Sequence, residues 1–468
     1  MSTETRATGP CTTTDLPSGS DQREIALVEP VAGPVARLVA LSLAAGIAAA
    51  AVLVTVAFPG ASESTVTASV LVAFGLGWAL LAWSTTRYTT RPLRWATVPA
   101  VSMLVTGAAL GTFAPQDDAL RTLSWVWPVP TVVLAGYVWA RARRTVPRRG
   151  RWMLTGVAAT LVLAAVGATY ENVSVVRDQD TYAAPGRSYE VNGHELYLDC
   201  RGHGSPTVVL ANGLGEVAAS WARIVDQVDP DTRVCAYDRA GQGWSTDDAE
   251  PQDGLDAARD LHALLQVAGE HGPYVLVGHS TGGAYALTYT ARYPQEVAGM
   301  VLLDSASPLQ FTALPAYRGQ YAVMRRGLAL LPTLDRFGLG RVAAAVLPSH
   351  LPRPDADVVA SLTASAHGAR NGRDEVSVLP RLFAQAQALT TLDGRPLAVL
   401  TSSENQRETT GWSDAQEQLA ALSTNTIHRV VDSTHAGLLE DERPAQESVD
   451  AIARVVAAVR TGTAPTTR

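Results

Sequence analysis

The chain changes its pattern of apolar and polar positions near residue 171. Before that point, five stretches of mostly apolar residues follow one another, over 38–58, 65–84, 95–114, 122–140 and 152–170. A helix needs about 20 such residues to cross a hydrocarbon core of roughly 30 Å. Short charged connections separate the stretches, which argues against five core helices of a soluble domain. The pattern predicts an all-α transmembrane bundle over residues 37–171.

The periodicity changes after a linker that we predict over 172–187. Alternating residues on both sides of an Asn192–Gly193 turn are typical of a β-hairpin. Short apolar runs then alternate with helical spacing, over 206–211, 232–238, 274–279, 299–304, 396–401 and 427–431. Several of these runs are continuous, as are strands that are buried on both faces. The alternation predicts an α/β domain over 188–462 with a doubly wound, mostly parallel sheet.

Residues from about 305 to 390 interrupt this alternation. They contain helix-forming sequence and no clear strand, which predicts a helical cap inserted between two strands. Within the cap, 315–347 mixes aromatic and aliphatic residues with arginines. Such an amphipathic segment suits either the surface of a bilayer beside a lipid substrate, or a lid whose apolar face covers the site. The end segments, 1–36 and 463–468, are predicted to be disordered tails.

Most arginines of the predicted bundle lie in the connection between the second and third stretches and in that between the fourth and fifth. They are Arg87, Arg91, Arg94, Arg141, Arg143, Arg144, Arg148, Arg149 and Arg151. Short loops rich in arginine stay on the cytoplasmic side. Both connections lie there only if the N-terminus is cytoplasmic, and five crossings then place the α/β domain outside. We therefore expect a multi-pass protein of the cell membrane with a cytoplasmic tail and an extracytoplasmic α/β domain.

The overall charge excludes one class of partner. The formal net charge is -7, and no basic helix or aromatic–basic interleaving is present, so we expect no nucleic-acid partner. The sequence has no metal-ligand cluster, phosphate-binding loop or dinucleotide fingerprint. We therefore expect neither a cofactor nor a metal.

One motif points to chemistry. Gly278–Gly282 reads G-x-S-x-G, which is weak evidence alone but here follows a predicted strand and opens a helical pattern. A sharp strand-to-helix turn holds the serine in strained backbone geometry, and the glycines remove Cβ atoms that would clash. The turn also directs the N-terminus of the helix at the serine, where backbone N–H groups favour a developing anion. Ser280 is the predicted nucleophile, and the neighbouring His279 is expected to support packing.

With three further stretches, this motif resembles the α/β-hydrolase family over about residues 188–460. Asn212–Gly215 follows a predicted strand where the family usually has His-Gly. Asp238–Ser245 is close to the family's D-x-R-G-x-G-x-S, and Ser433–Gly437 follows a strand as the family's catalytic histidine does. The resemblance implies a serine hydrolase in which the nucleophile, the acid and the histidine follow in that order.

The resemblance also implies roles for individual residues. His435 is the expected general base, because an imidazole titrates near neutral pH and can return the proton to the leaving group. The backbone N–H groups of Leu214 and Thr281 are the expected oxyanion hole.

The acid of the triad has two candidates. Glu404 follows the predicted strand 396–401, where the family usually has its acid. Asp304 ends the preceding strand, from which some lipases of the family take theirs. We favour Asp304 and keep Glu404 as the alternative.

Three cysteines are present, Cys11, Cys200 and Cys235. Cys11 falls in the predicted cytoplasmic tail and should be reduced. The resemblance implies that the strands carrying Cys200 and Cys235 are neighbours, so these two could form a disulfide outside the cytoplasm. The alternative is a pair of buried thiols that act as small hydrophobes.

The sequence therefore predicts a membrane-anchored serine hydrolase of the esterase or lipase kind. It would cleave an ester of a small-molecule or lipid substrate by a Ser-His-acid triad, through an acyl-enzyme. The alternatives are an acyltransferase or aminopeptidase-like member of the same fold, and a non-catalytic membrane receptor or scaffold. The oligomeric state is left open.

Overall fold

The computed structural model of the chain describes residues 33–248 and 250–465. Positions 1–32 of the predicted N-terminal tail, including Cys11, lie outside the described residues. So do residues 466–468 of the predicted C-terminal tail. A helical bundle comes first in the chain, and the α/β domain follows it.

The bundle consists of helices joined by short connections. In chain order they are α1 (Gly33–Val52), α2 (Glu63–Tyr88), α3 (Thr97–Phe113), α4 (Asp117–Val126), α5 (Pro128–Thr145) and α6 (Arg148–Thr181). Among the described residues, four helical stretches are long and apolar enough to cross a membrane, at Val35–Ala57, Glu63–Tyr88, Arg94–Phe113 and Arg148–Thr181. A fifth crossing would require α4 and α5 to form a single membrane-spanning segment together.

The predicted fourth stretch, 122–140, is not one straight helix. It is divided between α4 and α5, which meet at a bend of 48°. The bend falls at Pro128, because a proline lacks the N–H for a helical hydrogen bond and its ring clashes with the preceding turn. Hydropathy averages over such a residue and therefore does not detect the bend.

The predicted linker 172–187 is also different in the structure, because most of it is helix. α6 continues for 34 residues to Thr181, about ten residues past the end of the predicted fifth stretch. Its polar continuation is bound to the bundle. Asn172 Nδ2 donates to the Ser124 carbonyl oxygen at 2.9 Å, and Ser124 Oγ donates to Asn172 Oδ1 at 2.8 Å. The apolar sequence ends where the helix leaves the predicted hydrocarbon core, but the helix continues beyond that point.

The α/β domain is built on eight strands with the order β1-β2-β4-β3-β5-β6-β7-β8. They are β1 (Arg187–Val191), β2 (His194–Arg201), β3 (Thr207–Ala211), β4 (Val234–Tyr237), β5 (Tyr274–His279), β6 (Val297–Leu303), β7 (Leu397–Ser402) and β8 (Thr426–Val431). β1 and β2 pair antiparallel through the predicted hairpin, β2 joins β4 antiparallel, and the other pairs are parallel. The predicted doubly wound, mostly parallel sheet is confirmed.

Helices cover both faces of the sheet. They are α7 (Ala222–Val228), α8 (Gly254–Val267), α9 (Thr281–Arg292), α16 (Ser403–Glu408), α17 (Trp412–Ala420), α18 (Gly437–Glu440) and α19 (Glu442–Thr461), and the helices numbered between α9 and α16 form the cap. Val209 and Leu276 pack with residues of α8 and α9 on one face. Val208 and Leu210 pack with α7 and α19 on the other. Because these central strands are buried on both sides, their apolar runs are continuous.

The cap lies between β6 and β7, within the predicted range 305–390. It consists of α10 (Gln310–Ala313), α11 (Tyr317–Leu328), α12 (Leu331–Asp335), α13 (Leu339–Val346), α14 (Asp355–Thr363) and α15 (Ala366–Ala386). α15 packs on α9 and α8, and α12 packs on α2 of the bundle. The cap therefore contacts both parts of the chain.

A disulfide joins Cys200 on β2 to Cys235 on β4, which are directly paired in the sheet. Alkylation of the denatured, unreduced protein with iodoacetamide should therefore modify Cys11 alone. All three cysteines should react after reduction, which mass spectrometry of the peptides would show. Modification of Cys200 and Cys235 before reduction would contradict the bond.

Candidate active site

Ser280 lies in the sharp turn between β5 and α9. Its backbone has φ 54° and ψ -125°, a conformation that a residue with a side chain rarely adopts. The neighbouring strand holds the turn. The Ser280 N–H donates to the Leu303 carbonyl at 3.1 Å, and the Ala306 N–H donates to the Ser280 carbonyl at 2.8 Å. Strain held in place by surrounding contacts is typical of functional sites.

The glycines of the turn are required by close packing. A Cβ on Gly282 would lie 2.1 Å from the Ala211 carbonyl oxygen of β3. One on Gly278 would lie 2.5 Å from the Gly283 backbone, and one on Gly283 would lie 2.4 Å from the Ser305 side chain. Backbone atoms cannot give way as a flexible side chain can. The G-x-S-x-G spacing, with its third glycine, therefore allows the turn to form.

Asp304 lies directly after β6, the strand beside β5, and its carboxylate faces His435. Oδ2 accepts from His435 Nδ1 at 2.7 Å, and it also accepts from Ser402 Oγ and Asn405 Nδ2. Oδ1 accepts from Trp412 Nε1 at 2.8 Å. Burial raises the pKa of Asp304, but the hydrogen bond and charge of His435 outweigh it, so the pKa lies below its usual value.

Glu404 also contacts His435, but in another way. It lies in the first turn of α16, and its Oε2 accepts from the backbone N–H of His435 at 2.7 Å. The Glu404 N–H in turn donates to the Ser433 carbonyl at 3.2 Å. The structure thus brings both predicted carboxylates to His435, and only Asp304 to its ring.

The His435 loop packs on the turn that carries Ser280. The rings of His435 and His279 lie 4.5 Å apart between centroids. Among the hydrogen bonds of the described residues, none joins the Ser280 hydroxyl to the His435 ring. Hydrogen bonds between a catalytic base and its nucleophile are often long before substrate binds. The His435 side chain is 33% exposed, so a substrate can approach it.

A second acid–histidine pair lies behind the first and was not predicted from the sequence. His279 is buried, its Nδ1 contacts Glu216 Oε1, and its Nε2 contacts the His435 carbonyl oxygen at 3.0 Å. A carbonyl only accepts, so Nε2 carries a proton and the carboxylate faces Nδ1. Burial lowers the pKa of His279, and the charge and hydrogen bond of Glu216 outweigh it to raise the pKa overall.

Glu216 also holds the loop that carries Leu214. Its second oxygen accepts from the Gly213 N–H at 2.5 Å, and Glu375 of the cap accepts from the Gly215 N–H at 3.1 Å. No acceptor for the Leu214 N–H occurs among the hydrogen bonds of the described residues. Thr281 begins α9, so its N–H has no acceptor within the helix. Both predicted oxyanion-hole donors are therefore available.

The motif at Asp238–Ser245 is structural. Asp238 is buried, and its two carboxylate oxygens accept from the Ala218 N–H at 2.6 Å and the Trp244 N–H at 3.0 Å. Burial raises the pKa of Asp238 to about 6. Asn212, which stands at the family's histidine position, accepts from Trp221 Nε1 at 2.8 Å. These groups join the loops behind the site.

Residues 33–248 and 250–465 contain one group of potential metal ligands with atoms close enough together for one ion. It consists of Cys200, Cys235 and Glu270. Its two sulfurs form the disulfide and are not free to bind a metal.

Comparison with known proteins agrees with this architecture. Residues 206–336 match the model of the alpha/beta hydrolase fold. An uncharacterized protein of Schizosaccharomyces pombe is 26% identical over 353 residues, which cover 66% of this chain and 63% of that protein. Lipase LipV of Mycobacterium tuberculosis is 38% identical over 117 residues, which cover 25% of this chain and 43% of that protein. A bifunctional esterase/perhydrolase of Acinetobacter calcoaceticus is 35% identical over 116 residues, covering 24% and 42%.

The chain spans less than two thirds of the length of each of these relatives. Among solved structures, a variant of a candidate epoxide hydrolase from Pseudomonas aeruginosa has a TM-score of 0.50 at 17% identity. The likeness covers 59% of this chain and 96% of that one, and at this identity it shows the fold alone. The C-terminal domain of the chain, which follows a bundle of apolar helices, thus has the alpha/beta hydrolase fold.

Proposed function

We propose that the chain is a membrane-anchored serine hydrolase that cleaves an ester bond. Ser280 is the nucleophile, His435 the general base and Asp304 the acid that orients it. The observation that carries this proposal is the 2.7 Å hydrogen bond from His435 Nδ1 to Asp304, beside the strained turn at Ser280. A carboxylate on Nδ1 holds the imidazole in the tautomer whose Nε2 can accept a proton.

The reaction follows from these roles. Ser280 Oγ attacks the ester carbonyl carbon while His435 Nε2 takes the hydroxyl proton, and the N–H groups of Leu214 and Thr281 stabilise the oxyanion. The C–O bond breaks, and the alcohol leaves with the proton from His435. Water then attacks the acyl-enzyme and gives its proton to His435. The acid leaves, the proton returns to Ser280, and the net reaction is ester plus water to acid plus alcohol.

An ester is the substrate class that the relatives favour. Two of them are named as a lipase and as an esterase/perhydrolase. The nucleophile position holds a serine, which forms an ester with the acyl group and releases it to water.

The distribution of charge supports the anchoring. The end of the bundle that contacts the hydrolase domain carries Glu63 and Asp117. The other end carries the two arginine-rich connections. A hydrogen bond links them, in which Trp95 Nε1 donates to Thr145 Oγ1 at 3.0 Å. By the positive-inside rule, the arginine end is cytoplasmic and the hydrolase domain is outside. The Cys200–Cys235 disulfide fits an oxidising compartment.

The test uses the full-length chain purified in detergent. We expect it to hydrolyse p-nitrophenyl butyrate and to react with a fluorophosphonate probe. The probe should add its mass to the peptide that contains Ser280, and pretreatment with it should abolish hydrolysis. A heat-denatured sample is the control for non-specific labelling. If the folded chain shows neither hydrolysis nor labelling at Ser280, the proposal is wrong.

A further inference from the structure

The cap is fixed to the bundle by buried ion pairs. The Arg336 guanidinium pairs with Glu63 and, at 2.5 Å, with Asp117 Oδ1. Arg341 Nε lies 2.5 Å from Glu171 Oε2 on α6. Both arginine side chains are at most 15% exposed. Since breaking a buried pair leaves an uncompensated charge, these contacts hold the cap in one position on the bundle.

The contacts also set the depth of the cap relative to a bilayer. From Trp152, just past the arginine-rich connection, about 20 residues of α6 cross a core of roughly 30 Å, which therefore ends near Glu171, about one turn past Gly167. A Cβ on Gly167 would lie 2.2 Å from the Phe337 carbonyl oxygen of the cap. Thr333 Oγ1 lies 3.0 Å from Thr67 Oγ1, about one turn inside α2. The cap segment around 333–338 is thus level with the boundary of the hydrocarbon core.

Exposed apolar side chains continue from this level along α13. Leu339, Val342 and Val346 share one face of the helix, because they are three and four residues apart, and Leu347 follows them. Their exposed fractions rise from 48% at Leu339 to 71% at Val346 and 79% at Leu347. These four residues are called the apolar strip. A row of exposed aliphatic residues of this kind marks a binding surface rather than ordinary solvent-facing helix.

The chain just past the far end of the strip contacts α18, the helix that follows the His435 loop. Two residues past Leu347, Ser349 Oγ donates to Glu440 Oε2 at 2.9 Å, and the His350 N–H donates to the same oxygen at 2.9 Å. Glu440 ends α18, which begins two residues after His435. The apolar strip therefore extends from the level of the bilayer surface toward the helix that follows His435.

We infer that the apolar strip lies against the bilayer and guides a long-chain acyl ester from the adjacent leaflet to Ser280 and His435. This inference rests on the proposed function and adds its substrate class, an ester dissolved in the membrane. The occupant is lipid because the strip begins beside α6, where a Cβ on Gly338 would lie 3.3 Å from the Tyr170 ring. The α6 residues Val162, Leu163 and Val166 are also exposed.

The first experiment compares two substrates with the chain in dioleoylphosphatidylcholine vesicles. 4-Methylumbelliferyl oleate is dissolved in the membrane, and 4-methylumbelliferyl butyrate is soluble. In the double variant Val342→Glu/Val346→Glu, we expect kcat/KM for the oleate to fall by about tenfold or more, and that for the butyrate to change by less than about twofold. The control is Val267→Glu, which is 60% exposed and ends α8, a helix that packs on the edge strand β1, and it should change neither.

Each other result has a separate meaning. An unchanged oleate rate in the double variant, or an equal fall for both substrates, would overturn the inference. Wild type that cleaves the butyrate but not the oleate would also overturn it while leaving the proposed function in place. Wild type that cleaves neither ester would instead contradict the proposed function.

A second experiment does not depend on activity. In a Cys11→Ser background, a bimane fluorophore is attached to Val346→Cys or, as control, to Val267→Cys. Vesicles of brominated phosphatidylcholine should quench the fluorophore at 346 and leave that at 267 unchanged. Absence of quenching at 346 would overturn the inference. Cross-linking between two chains at 346 without quenching would show that a second copy covers the strip instead.

Discussion

Ester hydrolysis by Ser280→Ala is expected to fall by about 10⁴- to 10⁶-fold in kcat, with fluorophosphonate labelling lost. The methyl group cannot form an acyl-enzyme, and the remaining groups can only assist a direct attack by water. The Ser280 N–H and carbonyl contacts to Leu303 and Ala306 are made by the backbone, so alanine retains them. The strained turn and the fold should therefore survive the substitution.

The measurement is hydrolysis of p-nitrophenyl butyrate by wild type and variant purified in parallel, with the melting temperature of each. Ser361→Ala is a matched control, because that hydroxyl donates to the Val358 carbonyl within its own helix in the cap. It should retain activity and labelling. Turnover or labelling that persists at the wild-type level in Ser280→Ala would show that another residue is the nucleophile.

The sheet could be predicted because its central strands have a distinctive sequence pattern. A strand buried on both faces must be continuously apolar, and the runs at 274–279 and 299–304 correspond to β5 and β6. The bundle was predicted less completely. Hydropathy reports the length of an apolar stretch, and it reports neither the bend at Pro128 nor the polar end of α6. These depend on backbone hydrogen bonding and on partners such as Ser124 and Asn172.

In the site, likewise, features set by neighbouring residues could be predicted, and contacts between distant residues could not. The turn at Ser280 is encoded by adjacent glycines, so the motif was sufficient. The pair of Glu216 and His279 joins residues 63 positions apart, and no motif connects them. The one signal was that Glu216 directly follows the predicted oxyanion loop.

Asp304 and Glu404 could not be separated by their order in the chain, because both precede His435 and both follow a strand. In the structure, Asp304 and Glu404 differ in backbone conformation. Asp304 has φ 43°, which turns its side chain across the end of the sheet to the His435 ring. Glu404 begins a helix, and its carboxylate reaches the His435 main chain instead.

Asp304→Asn should therefore lower kcat by about 10⁴-fold, as loss of the orienting carboxylate does in serine hydrolases. An asparagine NH2 in place of Oδ2, next to Nδ1, favours the wrong tautomer, and it also meets the donors Ser402 Oγ and Asn405 Nδ2. Glu404→Gln is the matched control. Its carbonyl oxygen can still accept from the His435 N–H, so kcat should fall by no more than about tenfold, the cost of weakening one charge-assisted hydrogen bond. The reverse order of the two losses would make Glu404 the acid.

The pH profile distinguishes the two roles further. Burial raises the pKa of Asp304, but the His435 contact outweighs it and leaves the pKa below its usual value, so Asp304 stays ionised throughout about pH 5 to 8. Protonation of this carboxylate should therefore not set the acid limb of kcat/KM in wild type in that range. In Glu404→Gln the limb should keep its shape, since the ring and its acid are unchanged. In Asp304→Asn, which has no carboxyl group to titrate, the residual activity should still show an acid limb, and its disappearance would show that protonation of Asp304 sets the limb.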